Sequence, residues 1–243
     1  RTRDFARQCV YADDREKYID FVDADKMLAS YHRGKRAAEL EFRGTIASGE
    51  THWLRLSIEL VEYPNSTDVE AYLMYEDINE SMLEGLQTKR EAEADPLTGL
   101  LNRNAFIERL QAVLSAATED ALTALFMLDL DGFKLVNDSF GHAAGDQVLI
   151  DAGNAIRSVL REDDLVCRMG GDEFLVGLPT LPDRKSIIDK AKQLCRLTHK
   201  AFSLDVRMSI SLGIAVCPSD GRTFDELYQK ADAALYQSKS GGK

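Results

Sequence analysis

Asp129, Asp172 and Glu173 are the residues whose types and spacing could do chemistry. The apolar run Ala121–Leu130 reads as a buried strand that ends in Asp129. Gly170-Gly171, between Leu165–Met169 and Glu173–Leu178, is a strong hairpin signal, and its tip carries Asp172 and Glu173. If these strands are neighbours, three carboxylates converge at one edge of a sheet. Like charges that close repel by several kcal/mol at intermediate effective dielectric, so the arrangement demands cations. All-oxygen ligands favour Mg²⁺ over zinc. Mg²⁺ beside a nucleotide points to phosphoryl transfer, where paired metals stabilise the attacking and leaving oxygens. On spacing alone, a hairpin turn with exposed acids competes with this reading.

The segment Asp129-Leu130-Asp131-Gly132-Phe133-Lys134 shifts the balance. It turns sharply from strand to helix and leaves backbone N–H groups free at a helix N-terminus, a cradle for phosphates. Lys134 adds a cation to that cradle. Asn137 and Asp146 offer complementary functions for a guanine edge: a carboxylate accepts from the ring N–H and the exocyclic amine, and an amide pairs with the neighbouring acceptors. Adenine lacks that donor pair. In isolation Asp146 is equally readable as a helix N-cap after Gly145.

The elements that must position these residues fall into two regions with different periodicities. Between Ala38 and Ile78 the sequence alternates. Leu40 and Phe42 form one apolar row, Leu54, Leu56, Ile58 and Leu60 a second, and Val69, Ala71, Leu73 and Tyr75 a third. Turns at Ser48-Gly49 and Pro64-Asn65-Ser66 complete a three-stranded antiparallel meander with one buried face. A helix over Asp13–Gly34 is expected before it. Glu80–Ala94 is a polar, Pro-free connector helix with a thin stripe of Met82, Leu83 and Leu86 that could pair in a dimer, and Asp95-Pro96 breaks it. Helices and strands then alternate. One helix is marked by Phe106, Leu110, Val113 and Leu114, and another by Val148, Ile156 and Leu160, running to about Arg161. Asp183–Lys200 is a helix, Val206–Cys217 a strand and Phe224–Ser240 a last helix. The expected class is α+β, with helices on an antiparallel-rich sheet.

Bulk properties narrow the functions. A net charge of -11 disfavours non-specific contact with nucleic acid or an anionic membrane surface. The longest apolar stretch is far too short to span a bilayer. Four scattered cysteines and four dispersed histidines make no zinc constellation and fit a reducing cytosol. The chain opens without Met and stops after Ser240-Gly241-Gly242-Lys243, so it reads as a piece of a longer protein.

Gly170-Gly171-Asp172-Glu173-Phe174 resembles the signature of the GGDEF family of diguanylate cyclases, and three further motifs agree in order. Asp95-Pro96-Leu97-Thr98-Gly99-Leu100-Leu101-Asn102-Arg103 is similar to the family's opening motif, Asp129 through Asp146 to its metal and guanine segment, and Ala231-Asp232-Ala233-Ala234-Leu235-Tyr236 to its closing helix. The resemblance implies a nucleotidyl-cyclase-like (ferredoxin/palm-type) fold and condensation of two GTP into cyclic di-GMP and two pyrophosphates. It implies two Mg²⁺ per site, with Mn²⁺ as a substitute, held by Asp129, the Leu130 carbonyl, Asp172 and Glu173. Asp172 would be the base for the 3′-hydroxyl. Asn137 and Asp146 would hold guanine, with His142 close by. The Phe133 N–H and Lys134 would meet phosphate, Lys134 stabilising charge in the transition state, and Lys239 and Lys243 would reach the outer phosphates. The family usually has Arg where Lys243 stands. A bidentate contact becomes a point charge, so Lys243→Arg is expected to lower the apparent KM.

Each such domain holds one GTP, so the active unit implied is an antiparallel homodimer. Arg161-Glu162-Asp163-Asp164 occupies the place of the family's Arg-x-x-Asp product-inhibition motif. Arg161 would grip guanine or phosphate and Asp164 would read a guanine edge, although by pattern alone such a pair is more often a surface ion pair. Glu41-Phe42-Arg43, Gly49, Trp53 and Asp77-Ile78 are similar to the C-terminal half of a PAS sensor domain whose earlier strands are missing, and no cofactor is expected there. The organisation expected is a partial PAS-like sensor over 1–79, a connector helix over 80–94 and a GGDEF domain over 95–243. The expected location is the bacterial cytoplasm, with no membrane contact in this fragment and a membrane segment upstream left open. A catalytically silent cyclic di-GMP receptor is the alternative to the enzyme.

Overall fold

The structure, a computed structural model, describes residues 2–62, 68–118, 121–197 and 208–241. The chain divides into two compact units, 1–89 and 90–243. In the first, α1 (Thr2–Cys9), a 3-10 turn (Ala12–Asp14), α2 (Arg15–Phe21) and α3 (Ala24–His32) precede an antiparallel sheet of β1 (Ala37–Thr45), β2 (Thr51–Glu62) and β3 (Val69–Asp77) in that order. The single helix expected over Asp13–Gly34 is therefore broken. Asp23 leaves helical geometry and its carboxylate accepts from the Lys26 N–H, which starts α3 anew. The alternating rows of β1 and β2 do bury Leu40, Phe42, Leu56, Ile58 and Leu60 against Tyr18, Val22 and Tyr31. The third row differs. Val69 is half-buried, but Ala71, Leu73 and Tyr75 are exposed on the edge strand β3, although Tyr75 still reaches the helices, its hydroxyl 2.6 Å from that of Tyr18 and its ring 6.0 Å from that of Phe5.

Helix α4 (Asn79–Glu93) spans the division between the units. Leu83 and Leu86 on it are exposed. The second unit continues with α5 (Arg103–Ala116), β4 (Leu122–Asp131), α6 (Phe133–Phe140), α7 (His142–Ser158), β5 (Leu165–Gly170), β6 (Glu173–Leu181), α8 (Arg184–Arg196), β7 (Ser209–Cys217) and α9 (Phe224–Gly241). The ends expected for α8 at Lys200 and for β7 at Val206 lie outside the described residues.

The sheet order is β5-β6-β4-β7, with every neighbouring pair antiparallel. β4 is central and apolar on both faces, and the period of two sorts its side chains between two cores. Ala124, Phe126, Leu128 and Leu130 pack with Val136, Val148, Leu149 and Ile156 of α6 and α7 and with Ile187 and Leu194 of α8. Leu125 and Met127 pack with Phe106 and Leu110 of α5 and with Leu227, Ala231 and Leu235 of α9. A strand buried on both sides has little freedom to slip, so its last residues are held in one place. This α+β arrangement is the nucleotidyl-cyclase-like fold anticipated from the sequence.

Candidate active site

Antiparallel pairing of β4 with β6 sets Asp129 directly opposite Glu173. The hairpin tip is Gly171-Asp172. Gly171, at φ +55°, takes the left-handed backbone that a side chain would resist. The tip is tied to the central strand, since the Leu130 N–H donates to the Asp172 carbonyl at 3.3 Å. Three carboxylates thus share the edge of one sheet, and Asp129 is only 8% exposed. Burial, then the charge of Asp129, lifts the Asp172 carboxyl above its ordinary range. The same two causes lift Glu173, with Asp172 and Asp232 adding to them. Lys239, from α9, places Nζ 2.7 Å from Asp129 Oδ2.

The segment expected to cradle phosphate follows directly after β4. Gly132, at φ +80°, ends β4 and is the N-cap of α6, which begins at Phe133. Lys134 is exposed, and its side chain makes no hydrogen bond or ion pair among the described residues. Asn137 on α6 and Asp146 on α7 are brought near one another where these two helices pack, because Asn137 lies against Gly145. A Cβ on Gly145 would meet Asn137 Oδ1 at 2.0 Å, so only glycine lets Asn137 lie against the residue preceding Asp146. Asp146 is not an N-cap. Gly141 caps α7, which starts at His142 and carries Asp146 exposed in its second turn.

Two supports were not read from the sequence. Arg168 donates through Nε to the Gly171 carbonyl at 2.9 Å and through Nη1 to Asp95 Oδ2 at 3.4 Å, bracing the hairpin tip against the turn at Asp95-Pro96. Asp95 Oδ1 in turn accepts from the Thr98 N–H and Oγ. Asp232 was quoted only within a helix motif, yet its charge bears on Glu173. The side-chain pattern of α9, which sets Asp232 and Lys239 seven residues apart on one face, was the available signal.

Arg161 and Asp164, the pair expected to bind product, stand apart from the carboxylate edge. Arg161 is exposed. Asp164 is 6% exposed, and its Oδ2 accepts from the Arg161 N–H at 2.8 Å. Arg157 donates to the Asp164 carbonyl at 3.0 Å. Asp164 also lines a cleft of about 370 Å³ with Thr98, Leu101, Arg109, Asn154 and Arg157. Lys243 lies outside the described residues.

The donor set fits Mg²⁺. Among the described residues no three His, Cys, Asp or Glu groups are gathered closely enough to hold a metal ion by themselves, so an ion here would draw further ligands from substrate phosphates and water. The excess negative charge at Asp129, Asp172 and Glu173, partly met by the Lys239 ammonium, is what a hard divalent cation would neutralise. Among the described residues no helix is long and apolar enough to cross a membrane.

Residues 92–243 match the family model for the diguanylate cyclase, GGDEF domain. The bifunctional diguanylate cyclase/cyclic di-GMP phosphodiesterase MucR of Pseudomonas aeruginosa is 40% identical over 152 residues, which is 61% of this chain and 22% of that protein. The solved GGDEF domain of TpbB (YfiN) from Pseudomonas aeruginosa is 38% identical, with a TM-score of 0.59, covering 61% of this chain and 89% of that one. The coiled coil and GGDEF domain of DgcB from Caulobacter crescentus, solved with c-di-GMP, is 30% identical, with a TM-score of 0.60, covering 68% and 90%. The chain spans between 18% and 35% of the length of the curated relatives it matches. With its four motifs placed around one sheet edge, the chain belongs to the GGDEF-domain diguanylate cyclase family.

Proposed function

We propose that this chain condenses two GTP into cyclic di-GMP and two pyrophosphates, working as a homodimer. The observation that carries the proposal is the convergence of Asp129, Asp172 and Glu173 beside the Gly132–Lys134 cradle, with Asp172 and Glu173 lifted in pKa. Mg²⁺ would be held by Asp129, Asp172, Glu173 and the Leu130 carbonyl, and when bound it supplies charge neutralisation at the phosphates. The chain's own residues do the remainder. Asn137 and Asp146 seat guanine, with His142 at the start of the same helix as Asp146. The Phe133 N–H, Lys134, Lys239 and Lys243 hold the triphosphate.

A carboxylate with raised proton affinity is the better acceptor, so Asp172 takes the proton of the 3′-hydroxyl. That oxygen forms a bond to the α-phosphorus of the GTP on the partner copy. The bond from this phosphorus to the bridging oxygen breaks, and pyrophosphate leaves with the electron pair. The reciprocal step closes the ring. Pairing two loaded domains converts an encounter of four bodies into one of two.

Product inhibition is proposed at Arg161 and Asp164. The exposed Arg161 guanidinium makes the contact, and the buried Asp164 carboxylate shapes its loop. The DgcB neighbour was solved with c-di-GMP, which supports a receptor for this ligand in the fold.

The test is to incubate nucleotide-free protein with GTP and Mg²⁺ and detect cyclic di-GMP by mass spectrometry, with Asp172→Ala alongside. Product from the parent and none from the variant supports the cyclase. No product from either, at concentrations where the protein is dimeric, refutes it in favour of a silent cyclic di-GMP receptor.

A further inference from the structure

Asp131 is the one acid of the strand-end segment that the proposed reaction does not use. It follows Asp129 by two residues, so the pleat places both on the same face of β4. Its carboxylate nevertheless turns towards β7. Oδ1 accepts from Ser211 Oγ at 2.7 Å and Oδ2 from Ser209 Oγ at 2.6 Å. In the register, Ser209 lies opposite Asp131 and Ser211 opposite Asp129, so the carboxylate spans two successive same-face positions of the neighbouring strand. Both oxygens have a hydroxyl donor, and these are charge-assisted bonds.

The clamp sits at a mechanical junction. Asp131 is the last residue of β4, Ser209 is the first of β7, and β7 is an edge strand. One residue later the chain swings through Gly132 at φ +80° into α6, whose first N–H groups form the phosphate cradle. On the opposite side, the Leu130 N–H holds the hairpin tip through the Asp172 carbonyl. The end of β4 is thus gripped from both neighbouring strands, by backbone on the hairpin side and by side chain on the β7 side.

We propose that Asp131, Ser209 and Ser211 form a positioning clamp for polyphosphate: they fix the exit of β4 so that the Phe133 and Lys134 N–H groups stay aimed at a triphosphate, and they hold the Asp131 carboxylate out of the cation-binding set. The inference rests on the cyclase reading for the identity of the triphosphate as GTP. Asp131 is a positioning residue and does not touch substrate.

The experiment compares the parent chain with Ser209→Ala/Ser211→Ala, Ser209→Thr/Ser211→Thr and Asp131→Ala. Calorimetry with Mg²⁺ measures the dissociation constants of GMP and of 3′-deoxy-GTP, which lacks the attacking hydroxyl. The double alanine variant should lose about tenfold of the preference for 3′-deoxy-GTP over GMP, the scale of one hydrogen bond to a charged group. Its KM for GTP should rise by the same factor, with kcat changing less, and the double threonine variant should restore both. An unchanged preference in a folded double alanine variant, or no restoration by threonine, overturns the clamp. If Asp131→Ala fails to fold, the serine pair decides. The two proposals fail separately: a parent that makes no cyclic di-GMP refutes the cyclase, while the 3′-deoxy-GTP to GMP ratio still reports on the clamp.

Discussion

Gly145→Ala probes guanine reading from a residue that is not itself proposed to contact the nucleotide, through its neighbour Asn137. The added Cβ would lie 2.0 Å from Asn137 Oδ1, 3.0 Å from Asn137 Cγ and 3.3 Å from Phe133 Cζ. Ordinary contact begins near 3.4 Å, so the Asn137 amide must retreat by more than an ångström. The obstructing atom is the end of a flexible side chain, which yields more readily than backbone. Alanine in a helix interior also gains roughly 0.5–1 kcal/mol over glycine, which offsets the local strain. Stability should therefore change little. Recognition should not escape, because a displaced amide leaves a guanine acceptor unpaired, costing about 1–3 kcal/mol. At about 1.36 kcal/mol per decade, that is a rise of roughly five- to 150-fold in the KM for GTP. The assay is steady-state cyclase kinetics with a thermal melt on the same preparation. A melting temperature within about 2 °C of the parent, together with an unchanged KM, would refute the placement of Asn137 at guanine.

Further outcomes follow from other contacts. Because the folded state raises the Asp172 and Glu173 carboxyls above the ordinary 3.8 and 4.5, the unfolded chain loses these protons first as pH rises. The pair therefore costs stability above that window and not below it. Asp172→Asn should abolish activity yet raise the melting temperature at pH 7 by about 2–4 °C, the scale of ~1 kcal/mol of solvent-screened repulsion in a domain of this size, and the gain should vanish near pH 4; a lower melting temperature at pH 7 counts against it. In Gly213→Ala the new Cβ would lie 2.0 Å from the Ala231 carbonyl oxygen and 2.5 Å from the Leu235 nitrogen, both backbone atoms of α9, so a loss of about 3 kcal/mol or more is expected in urea unfolding. Arg161→Ala should remove inhibition by added cyclic di-GMP in progress curves while the fold persists. Asp164→Ala should also lower stability by about 1–2 kcal/mol, as loss of a buried cap does, since its carboxylate holds the Arg161 N–H.

Much of this protein is legible in its order of residues. The run expected as a strand over Ala121–Leu130 forms β4 at Leu122–Asp131, and the glycine pair produces the hairpin between β5 and β6. These features are local. Alternation, a run of apolar side chains and a left-handed turn each depend on a few successive residues, and the four motifs lie along the chain in readable order. The meander of β1–β3 was legible for the same reason, but the exposure of its third row was not, because burial depends on what packs against a strand. The break at Asp23 also escaped the periodicity, as a helical stripe can continue in register across a cap.

The pairings that build the site belong to tertiary structure alone. Lys239 meets Asp129, Arg168 meets Asp95, and Ser209 and Ser211 meet Asp131 across separations of more than 70 residues. From composition, Asp129 and Asp131 are equivalent acids two residues apart. They acquire different surroundings only because β4 has different neighbours on its two sides: a hairpin of acids on one, a strand with two hydroxyls on the other. Sequence determined which groups are present and the local geometry that presents them, since torsional preference and periodicity act over a few residues. Which carboxylate faces which partner was decided by the lateral order of strands, because a charge responds to whatever lies within a few ångströms, however distant along the chain.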